Sequence, residues 1–399
     1  MAQKIVLAYS GGLDTSVAIR WLMEKYDAEI ITMTIDLGGN TSLEDARKRA
    51  IETGAVKAIV HDATQEFVDG FVWPALKAGA LYEGVYPLAT ALGRPLIAQH
   101  LVRIALEEDA FAIAHGCTGK GNDQVRFDVS TGALAPHLRV IAPAREWGMS
   151  REQEIAYAQE RNITLDLNKR SPYSVDENLW GRSAEAGDLE DPWNEPPEEA
   201  YSWTQPVSKA PNDAVYIEVA FRQGIPVALD SEELSGIELI TRLNELGGIH
   251  GIGRLDHIEN RLVGIKSREI YEATAAILLH QAHRSLEDMC LSKEQARFKE
   301  RLAQEYADIV YNGLWFTPHR EDLDAYVESA QRHVSGTVRM RLHKGTSTVV
   351  GRQSKESLYQ HELATYDASD QFDHHASEGF IQIYGLPVRT QSQVQGREG

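Results

Sequence analysis

Short apolar runs alternate with amphipathic helical patterns through the first 165 residues of the chain. A strand followed by a helix, repeated several times, predicts a parallel sheet with helices packed on it, because parallel strands need long crossover connections. Ligands bind at the carboxyl ends of such strands, so we expect the chemistry in the loops after the first, second and fourth strands. The predicted strands are Ile5 to Ala8, Glu29 to Ile35, Ala58 to His61, Ala110 to Ala114 and Arg139 to Ala142.

A different pattern follows an acidic stretch with several prolines, Ser183 to Glu199, which we interpret as an exposed connecting loop. The strand and helix signals beyond it predict a second, α+β domain. About forty residues at the end of the chain are too few for a core of their own, so we expect an arm that packs on a neighbouring subunit. The signals are an alternating strand over Val215 to Phe221, a helix over Glu232 to Leu246 closed by Gly247 and Gly248, a hairpin at Lys344 and Gly345, and one short helix before Pro387.

The charge and cysteine content of the chain limit which partners it can bind and in which cellular compartment we expect it. The chain has 40 Lys and Arg against 59 Asp and Glu, and a formal net charge of −19 repels a polyanion, so we expect no nucleic-acid partner. Cys117 and Cys290 are the only cysteines, too few for a disulfide framework or a four-cysteine zinc site. No apolar run is long enough for a membrane span, and the N-terminus does not read as a signal peptide. We therefore expect a cytoplasmic protein with no membrane partner.

The string Ser10-Gly-Gly-Leu-Asp-Thr-Ser16 joins the first predicted strand to a helix. Its glycines permit a tight turn and a close ligand, and the N–H groups that begin the helix attract an anion, so the string predicts a phosphate or pyrophosphate site. The hydroxyls of Ser10, Thr15 and Ser16 add donors, and Asp14 is suited to hold Mg²⁺. The alternative is an ordinary glycine turn with a helix cap, but the position after a buried strand favours nucleotide binding. The glycine spacing of the string matches neither the Walker A motif nor the dinucleotide-binding motif, and this disfavours kinases and hydride-transfer enzymes.

A second polar loop, His115 to Arg126, follows the fourth predicted strand and contains three glycines within six residues. It also carries a hydroxyl, an ammonium, an amide, a carboxylate and a guanidinium, a mixture that suits an amino-acid ligand. Asp123 is suited to accept from a substrate amine, and Lys120 and Arg126 to pair with carboxylates. Such a loop is often only a solvated turn; its place at the end of a strand favours a site.

These motifs resemble known families. The first string resembles the SGGxDS loop of ATP pyrophosphatases, which cut ATP between the α and β phosphates and transfer AMP to a carbonyl oxygen. Together with the second loop, the segments Tyr173 to Leu179, Gly251 to Arg261 and Lys266 to Tyr271 resemble the argininosuccinate synthase family, in the same order from residue 5 to about residue 385.

The resemblance implies an AMP-forming ligase of arginine biosynthesis that joins citrulline to aspartate with ATP and Mg²⁺, through a citrullyl-adenylate. It implies an α/β fold, with a parallel-sheet nucleotide-binding domain of the ATP pyrophosphatase type over residues 1–165. An α+β synthetase domain over residues 166–355 and a C-terminal oligomerisation arm over residues 356–399 follow, in a homotetramer. Citrulline and aspartate are the implied small-molecule partners.

The family's site residues are carried onto matching positions of this chain. Asp14, Asp123 and Arg126 are the expected catalytic residues. Where the family often has a serine, this chain has Ala91, and we expect Thr90 to replace part of that contact with the citrulline carboxylate. The implied contacts are Ala8, Tyr9, Ser10, Gly11, Gly12, Leu13, Asp14, Thr15, Ser16, Ile35 and Gly116 for ATP, Thr118, Asn122 and Asp123 for aspartate, and Tyr86, Asn122, Arg126, Ser174, Ser183, Glu259 and Tyr271 for citrulline.

Other interpretations stay open at this point. Another adenylating enzyme with the same loop, such as a tRNA-modifying ligase, is the main alternative, and a nucleotide sensor without turnover is a second one. Cys117 carries no nucleophile signature, and we expect it to be inert. The histidine pairs at 280 and 283 and at 374 and 375 lack flanking carboxylates at metal-site spacing, so we expect hydrogen-bonded or solvated imidazoles there. Apart from the Mg²⁺ that accompanies ATP, we expect no metal site.

Overall fold

The computed structural model describes residues 2–39, 42–164 and 172–396, which form two compact units, one up to residue 356 and one from residue 357. The predicted boundary between the first two domains, at residues 165 and 166, lies outside the described residues. Among the described residues, each helix is too short or too polar to span a lipid bilayer.

The first unit begins with a five-stranded parallel sheet in the order β3-β2-β1-β4-β5. Its strands include all five predicted ones, and the α/β expectation is confirmed. The sheet is buried on both faces, which is why its strands read as apolar runs rather than as alternating patterns. The strands are β1 (Gln3–Ala8), β2 (Ala28–Asp36), β3 (Lys57–Asp62), β4 (Ala112–Ala114) and β5 (Arg139–Ile141).

Two apolar layers cover this sheet. Ile5 and Leu7 of the central strand pack into one layer, which includes Ile19, while Val6 packs into the opposite layer, which includes Leu101. The alternation follows from the period of two in a strand. The helical segments are α1 (Leu13–Tyr26), α2 (Leu43–Thr53), α3 (Thr64–Phe67), a π-helical turn (Val68–Val72), α4 (Trp73–Ala78), α5 (Ala89–Glu107), α6 (Asp123–Leu134), α7 (Pro143–Glu146) and α8 (Arg151–Glu160).

Strand order decides which loops meet. β1 pairs in parallel with both β4 and β2, and Leu7 lies opposite Ala114. The loops that follow β1, β2 and β4 therefore emerge side by side at one edge of the sheet, as the sequence predicts.

Two antiparallel sheets complete the first unit. Their orders are β10-β9-β8-β13-β14 and β11-β12-β7-β6. A large apolar core joins residues from Leu37 to Leu342, so it includes side chains from both sides of the undescribed residues 165–171. The strands are β6 (Ser174–Asn178), β7 (Gly181–Glu185), β8 (Val215–Arg222), β9 (Ile225–Leu229), β10 (Glu232–Glu233), β11 (Arg254–Asn260), β12 (Lys266–Glu272), β13 (Gly336–His343) and β14 (Thr346–Gln353). The helices are α9 (Gly236–Ile249), α10 (Thr274–Cys290), α11 (Lys293–Tyr311) and α12 (Pro318–Gln331), with 3₁₀ turns at Gly187–Glu190, Glu198–Ala200 and Val207–Lys209.

Two local predictions in this region are wrong. The helix predicted from Glu232 begins only at Gly236, because Ser235 and Glu238 form a capping box there. It continues through Gly247 and Gly248 instead of ending at them. A side chain at Gly247 would overlap that of Thr274, so this glycine serves close packing and not a helix end.

The interpretation of Ser183 to Glu199 as one exposed loop is also wrong at its start. Ser183 lies within β7, paired with Tyr271 of β12. Leu189 in the middle of the stretch is completely buried. This acidic stretch therefore includes the end of a strand and a leucine that packs in the protein interior.

The described part of the second unit, residues 357–396, contains three helices. Pro387 does not end the helical region as expected but stands in the first turn of the last helix, where its missing N–H costs no hydrogen bond. The helices are α13 (His361–Ala364), α14 (His374–Tyr384) and α15 (Leu386–Gln395).

Candidate active site

The nucleotide loop, residues 9–12, connects β1 to α1. Gly11 has a φ of +78°, a left-handed conformation that favours glycine, and a side chain there would overlap the guanidinium of Arg49. Gly12 caps α1 without a side-chain hydrogen bond. The positive end of the helix dipole therefore faces the loop without a capping side chain in front of it, which suits a bound anion.

Hydroxyl groups organise this loop. Ser10 Oγ and Thr15 Oγ1 are 3.1 Å apart across its mouth. Ser16 is almost fully buried, with its Oγ 3.1 Å from the Tyr9 hydroxyl. The Thr34 hydroxyl donates to the carbonyl of Tyr9 at 2.9 Å and so attaches the loop to β2.

A cavity of about 480 Å³ opens against the nucleotide loop. A Cβ on Gly116 would lie 2.8 Å from Thr15 Cγ2, so only a glycine lets the second loop approach the first this closely. Gly11 and Ser16 do not line the cavity. The expected ATP residues that do line it are Ala8, Tyr9, Ser10, Gly12, Leu13, Asp14, Thr15, Ile35 and Gly116.

A pair of carboxyl groups stands beside this cavity. Asp14 lines it from the first turn of α1, and Glu154 of α8 is hydrogen-bonded to Asp14. Burial first, and then the charge of Asp14, raise the pKa of Glu154 to about 8. Glu154 is therefore protonated at neutral pH and donates to Asp14. Arg151 brings a positive charge to the same cavity wall.

The second loop leaves β4 at His115. The backbone N–H of Cys117 donates to His115 Nδ1 at 3.2 Å. Burial first, and then the neighbouring Asp123, raise the pKa of the Cys117 thiol well above its usual range. A thiol in that state is unreactive, in keeping with the sequence-based interpretation. Thr118 is exposed at the tip, where its carbonyl accepts from the N–H of Gly121 at 3.3 Å.

Asp123 is the centre of a partly buried charge network. Its carboxylate accepts from Arg94 Nε at 2.8 Å and from Arg126 Nη1 at 2.8 Å, and Arg94 also pairs with Asp176. Burial alone would raise the pKa of Asp123, but the two guanidinium groups hold it below its ordinary value. Burial raises the pKa of Asp176, against the opposing charge of Arg94. Arg94 and Asp176 also line the nucleotide cavity, so the network adjoins it.

Glu259 accepts from two tyrosines. Tyr271 donates to its Oε2 at 2.6 Å, and Tyr311 donates to its Oε1 at 2.7 Å. Asn122 Nδ2 in turn donates to the Tyr311 hydroxyl at 2.8 Å. Arg126 Nε donates to the carbonyl of Tyr311 at 3.0 Å, which connects Glu259 to the Asp123 network.

Two features of the residues around Glu259 suit a substrate with charged ends. Nη2 of Arg126 is buried and has no hydrogen-bond partner among the described residues, a donor suited to a carboxylate. The ring of Tyr86 stacks on Tyr271 with centroids 4.2 Å apart, and its hydroxyl accepts from the Thr90 N–H at 2.9 Å. Ala91 is completely buried in the apolar core.

Ser174 and Ser183 lie on the neighbouring strands β6 and β7. Ser183 pairs with Asp176, and Ser174 pairs with Glu185, so all four side chains share one face of the sheet. Ser183 is half-buried and Ser174 is exposed. The two serines that were expected to bind citrulline therefore lie on the same face of this sheet.

Several neighbours were missed from sequence. Arg94 belongs to a helix that is apolar on most sides, with no signal around it. Asp176 could have been predicted, since it lies in the segment Tyr173 to Leu179, which resembles the family. Tyr311 lies 185 residues from Arg126 along the chain, and no local spacing reveals that contact.

Two protein-family models match successive parts of the chain. Residues 4–164 match the arginosuccinate synthase N-terminal HUP domain, and residues 173–391 match the arginosuccinate synthase C-terminal domain. The chain belongs to the argininosuccinate synthase family. It is a ligase that joins citrulline to aspartate with ATP as a substrate, in arginine biosynthesis, and the tRNA-modifying alternative is not favoured.

Individual relatives agree over nearly the whole length. The argininosuccinate synthase of Dehalococcoides mccartyi is 57% identical over 99% of this chain and 97% of that protein. The argininosuccinate synthase of Chlorobium phaeobacteroides is 57% identical over 98% of each. Among solved structures, the U34-tRNA thiolase NcsA from Methanococcus maripaludis is 16% identical, with a TM-score of 0.27 over 43% of this chain and 60% of that one, too distant to support an argument.

Proposed function

We propose that the reaction proceeds in two steps, between the nucleotide cavity and the residues around Glu259. First, the ureido oxygen of citrulline attacks the α-phosphorus of ATP, and pyrophosphate leaves. Then the amine of aspartate attacks the ureido carbon, and AMP leaves with the citrulline oxygen. The observation that carries the proposal is the Arg94–Asp123–Arg126 network, which borders the nucleotide cavity through Arg94 and is joined to Glu259 through Tyr311.

In the first step, the nucleotide loop holds the triphosphate. The helix dipole and the loop N–H groups stabilise the negative charge that develops on the departing pyrophosphate. The residues from Ala8 to Thr15 other than Gly11 line the cavity and would surround the nucleotide. Ser16 is turned into the protein and acts through the hydroxyl of Tyr9. Ile35 and Gly116 complete the cavity wall.

Mg²⁺ fits this loop by the chemistry of its donors. The carboxylate of Asp14 and the hydroxyls of Ser10 and Thr15 are oxygen ligands, which Mg²⁺ prefers over nitrogen and sulfur. When bound there with ATP, the ion would neutralise phosphate charge. Glu154 keeps Asp14 in place by donating a hydrogen bond to it.

Charged groups orient the two amino acids. The carboxylate of Glu259 is suited to the α-ammonium of citrulline, and the free Nη2 of Arg126 to its carboxylate. Tyr86, Asn122, Ser174, Ser183 and Tyr271 offer hydroxyl and amide groups to the rest of citrulline. Thr118, Asn122 and Asp123 would hold aspartate. Because the pKa of Asp123 is lowered, this carboxylate is a weak base and is better suited to orient the amine.

Isotope exchange tests the order of events. With citrulline and ATP but no aspartate, labelled pyrophosphate should enter ATP, because the first step is complete and reversible on its own. Asp14→Asn should reduce this exchange strongly. Exchange that requires aspartate would contradict a separate adenylation step.

The assembly is proposed to be a cytoplasmic homotetramer that uses the predicted C-terminal arm. The second unit exposes large apolar side chains on α14, among them Phe380, Ile381 and Tyr384. Exposed apolar patches of this kind favour association with another chain. Light scattering should report four chains for the wild type and fewer for Phe380→Glu.

A further inference from the structure

Two histidines and a glutamate meet outside the site described above. His61 lies near the end of β3, Glu66 in α3 and His100 in α5. His61 Nε2 is 3.3 Å from Glu66 Oε1, and His100 Nε2 is 2.8 Å from Glu66 Oε2. One potential ligand atom from each residue lies within 4.8 Å of the others.

These separations are close to those of a metal site. Zinc binds imidazole nitrogen and carboxylate oxygen at about 2.0–2.2 Å, so two ligands of a tetrahedral ion stand about 3.4 Å apart. The distance of 3.3 Å between His61 Nε2 and Glu66 Oε1 is near that value. Only small side-chain movements are needed to place all three atoms around one ion.

The surroundings permit binding. His100 is buried, whereas Glu66 and His61 are partly exposed, so an ion would have access from solvent. Asp62 accepts from both the N–H and the hydroxyl of Thr64, which orients the start of α3 and with it Glu66. A hydrogen bond from His100 first, and then one from His61, lower the pKa of Glu66 despite partial burial, so its carboxylate is ionised.

Arg103 is a cation that competes with a metal ion at this cluster. Its Nη2 is 3.1 Å from His100 Nδ1, which assigns the imidazole proton to Nε2 in this arrangement. Metal binding at Nε2 moves that proton to Nδ1 and requires Arg103 to withdraw. Arg103 is half exposed and already pairs with Glu107 at 3.0 Å, so its guanidinium keeps an ion-pair partner after it leaves His100.

We propose that His61, Glu66 and His100 bind one divalent transition-metal ion, of which zinc is the best fit. Two imidazole nitrogens favour zinc, cobalt or nickel over magnesium, which prefers oxygen ligands. Three protein ligands leave a fourth position open to water. His61 pairs in register with Ile35, which lines the nucleotide cavity, so the ion would join α3 and α5 to a strand next to that cavity.

The test uses the full chain, freed of metal by a chelator and titrated with zinc chloride by calorimetry. We expect one zinc per chain, with affinity reduced tenfold or more in His61→Ala and Glu66→Gln, two partly exposed positions whose replacement leaves the core intact. His319→Ala is the matched control, since His319 is an exposed histidine 3.1 Å from Glu305. Equal affinity in wild type and His61→Ala, or equal losses in the control, would show adventitious surface binding and overturn the proposal.

A second readout does not depend on calorimetry. Cobalt(II) bound by two imidazoles and a carboxylate has visible absorption bands whose intensity reports coordination number. We expect tetrahedral or five-coordinate bands for wild type and His319→Ala, and none for His61→Ala. Bands that persist in His61→Ala would contradict the assignment of the ligands.

Discussion

His115 Nε2 lies 2.9 Å from Asp128 Oδ1, directly behind the loop that contributes Gly116 and Thr118 to the proposed site. The other ring nitrogen accepts from the N–H of Cys117, so the imidazole connects α6 to the loop backbone. Burial would raise the pKa of Asp128, but hydrogen bonds from His115 and Arg145 hold it below its ordinary value. A charged carboxylate therefore fixes both the tautomer and the direction of the ring.

Asp128→Asn should remove the negative charge beside His115 while keeping a side chain of the same size, so the imidazole is held less firmly. We expect kcat/KM for aspartate to fall by about tenfold to a hundredfold, since small displacements of positioning groups cost that much. Steady-state kinetics with Asp322→Asn, an exposed aspartate on α12, provides the control. An unchanged kcat/KM in Asp128→Asn would show that the pair is only structural.

Gly116→Ala should force the two loops apart. The new methyl group would lie 2.8 Å from Thr15 Cγ2, closer than packed carbon atoms allow. We expect ATP affinity to fall by about tenfold or more, measured by calorimetry. Gly119→Ala, in the same loop, adds a methyl group with nothing within 4 Å and should bind ATP like the wild type.

Glu154 predicts a specific dependence of stability on pH. Its pKa rises from 4.5 to about 8 on folding, so between these values the unfolded chain has lost a proton that the folded protein still holds. This contribution to stability is complete below about pH 4.5 and is lost as the pH rises through 8. Its size is on the order of a few kcal/mol.

Glu154→Gln keeps the donor to Asp14 but removes the titration. Between about pH 6 and about pH 8.5, in the upper part of this range, urea denaturation should show a smaller fall in the free energy of unfolding for this variant than for the wild type. Glu152→Gln, an exposed position on the same helix, should behave like the wild type. Parallel pH profiles for all three proteins would be evidence against the carboxyl pair.

Tyr311→Phe tests a residue that no sequence motif indicated. The change removes the donor to Glu259 and the acceptor for Asn122. We expect KM for citrulline to rise by about tenfold, because a buried hydrogen bond to a charged group contributes about 1.5–3 kcal/mol. Tyr306→Phe removes a similar bond to Asp324 at 2.8 Å and should lower stability while leaving KM for citrulline unchanged.

The parallel sheet could be predicted because its physical cause is local: a strand buried on both faces must be a continuous apolar run. The position of the nucleotide loop could be predicted for the same reason, since its glycines and hydroxyl residues directly follow the apolar run of β1. Arg94 and Tyr311 could not be predicted, because their partners Asp123 and Glu259 are 29 and 52 residues away along the chain and approach only when separate elements pack together. Ends of elements were least predictable, as Gly247 shows, where tertiary packing overrides the usual meaning of a glycine.

The fate of one oxygen atom tests the central proposal most directly. Citrulline carrying ¹⁸O in its ureido group should transfer that label to the phosphate of AMP in a single turnover, because the ureido oxygen is the nucleophile at the α-phosphorus. Mass spectrometry of the nucleotide product measures this transfer. We expect one labelled oxygen in each AMP. AMP without the label, or ADP as the product, would rule out attack by the ureido oxygen on the α-phosphorus.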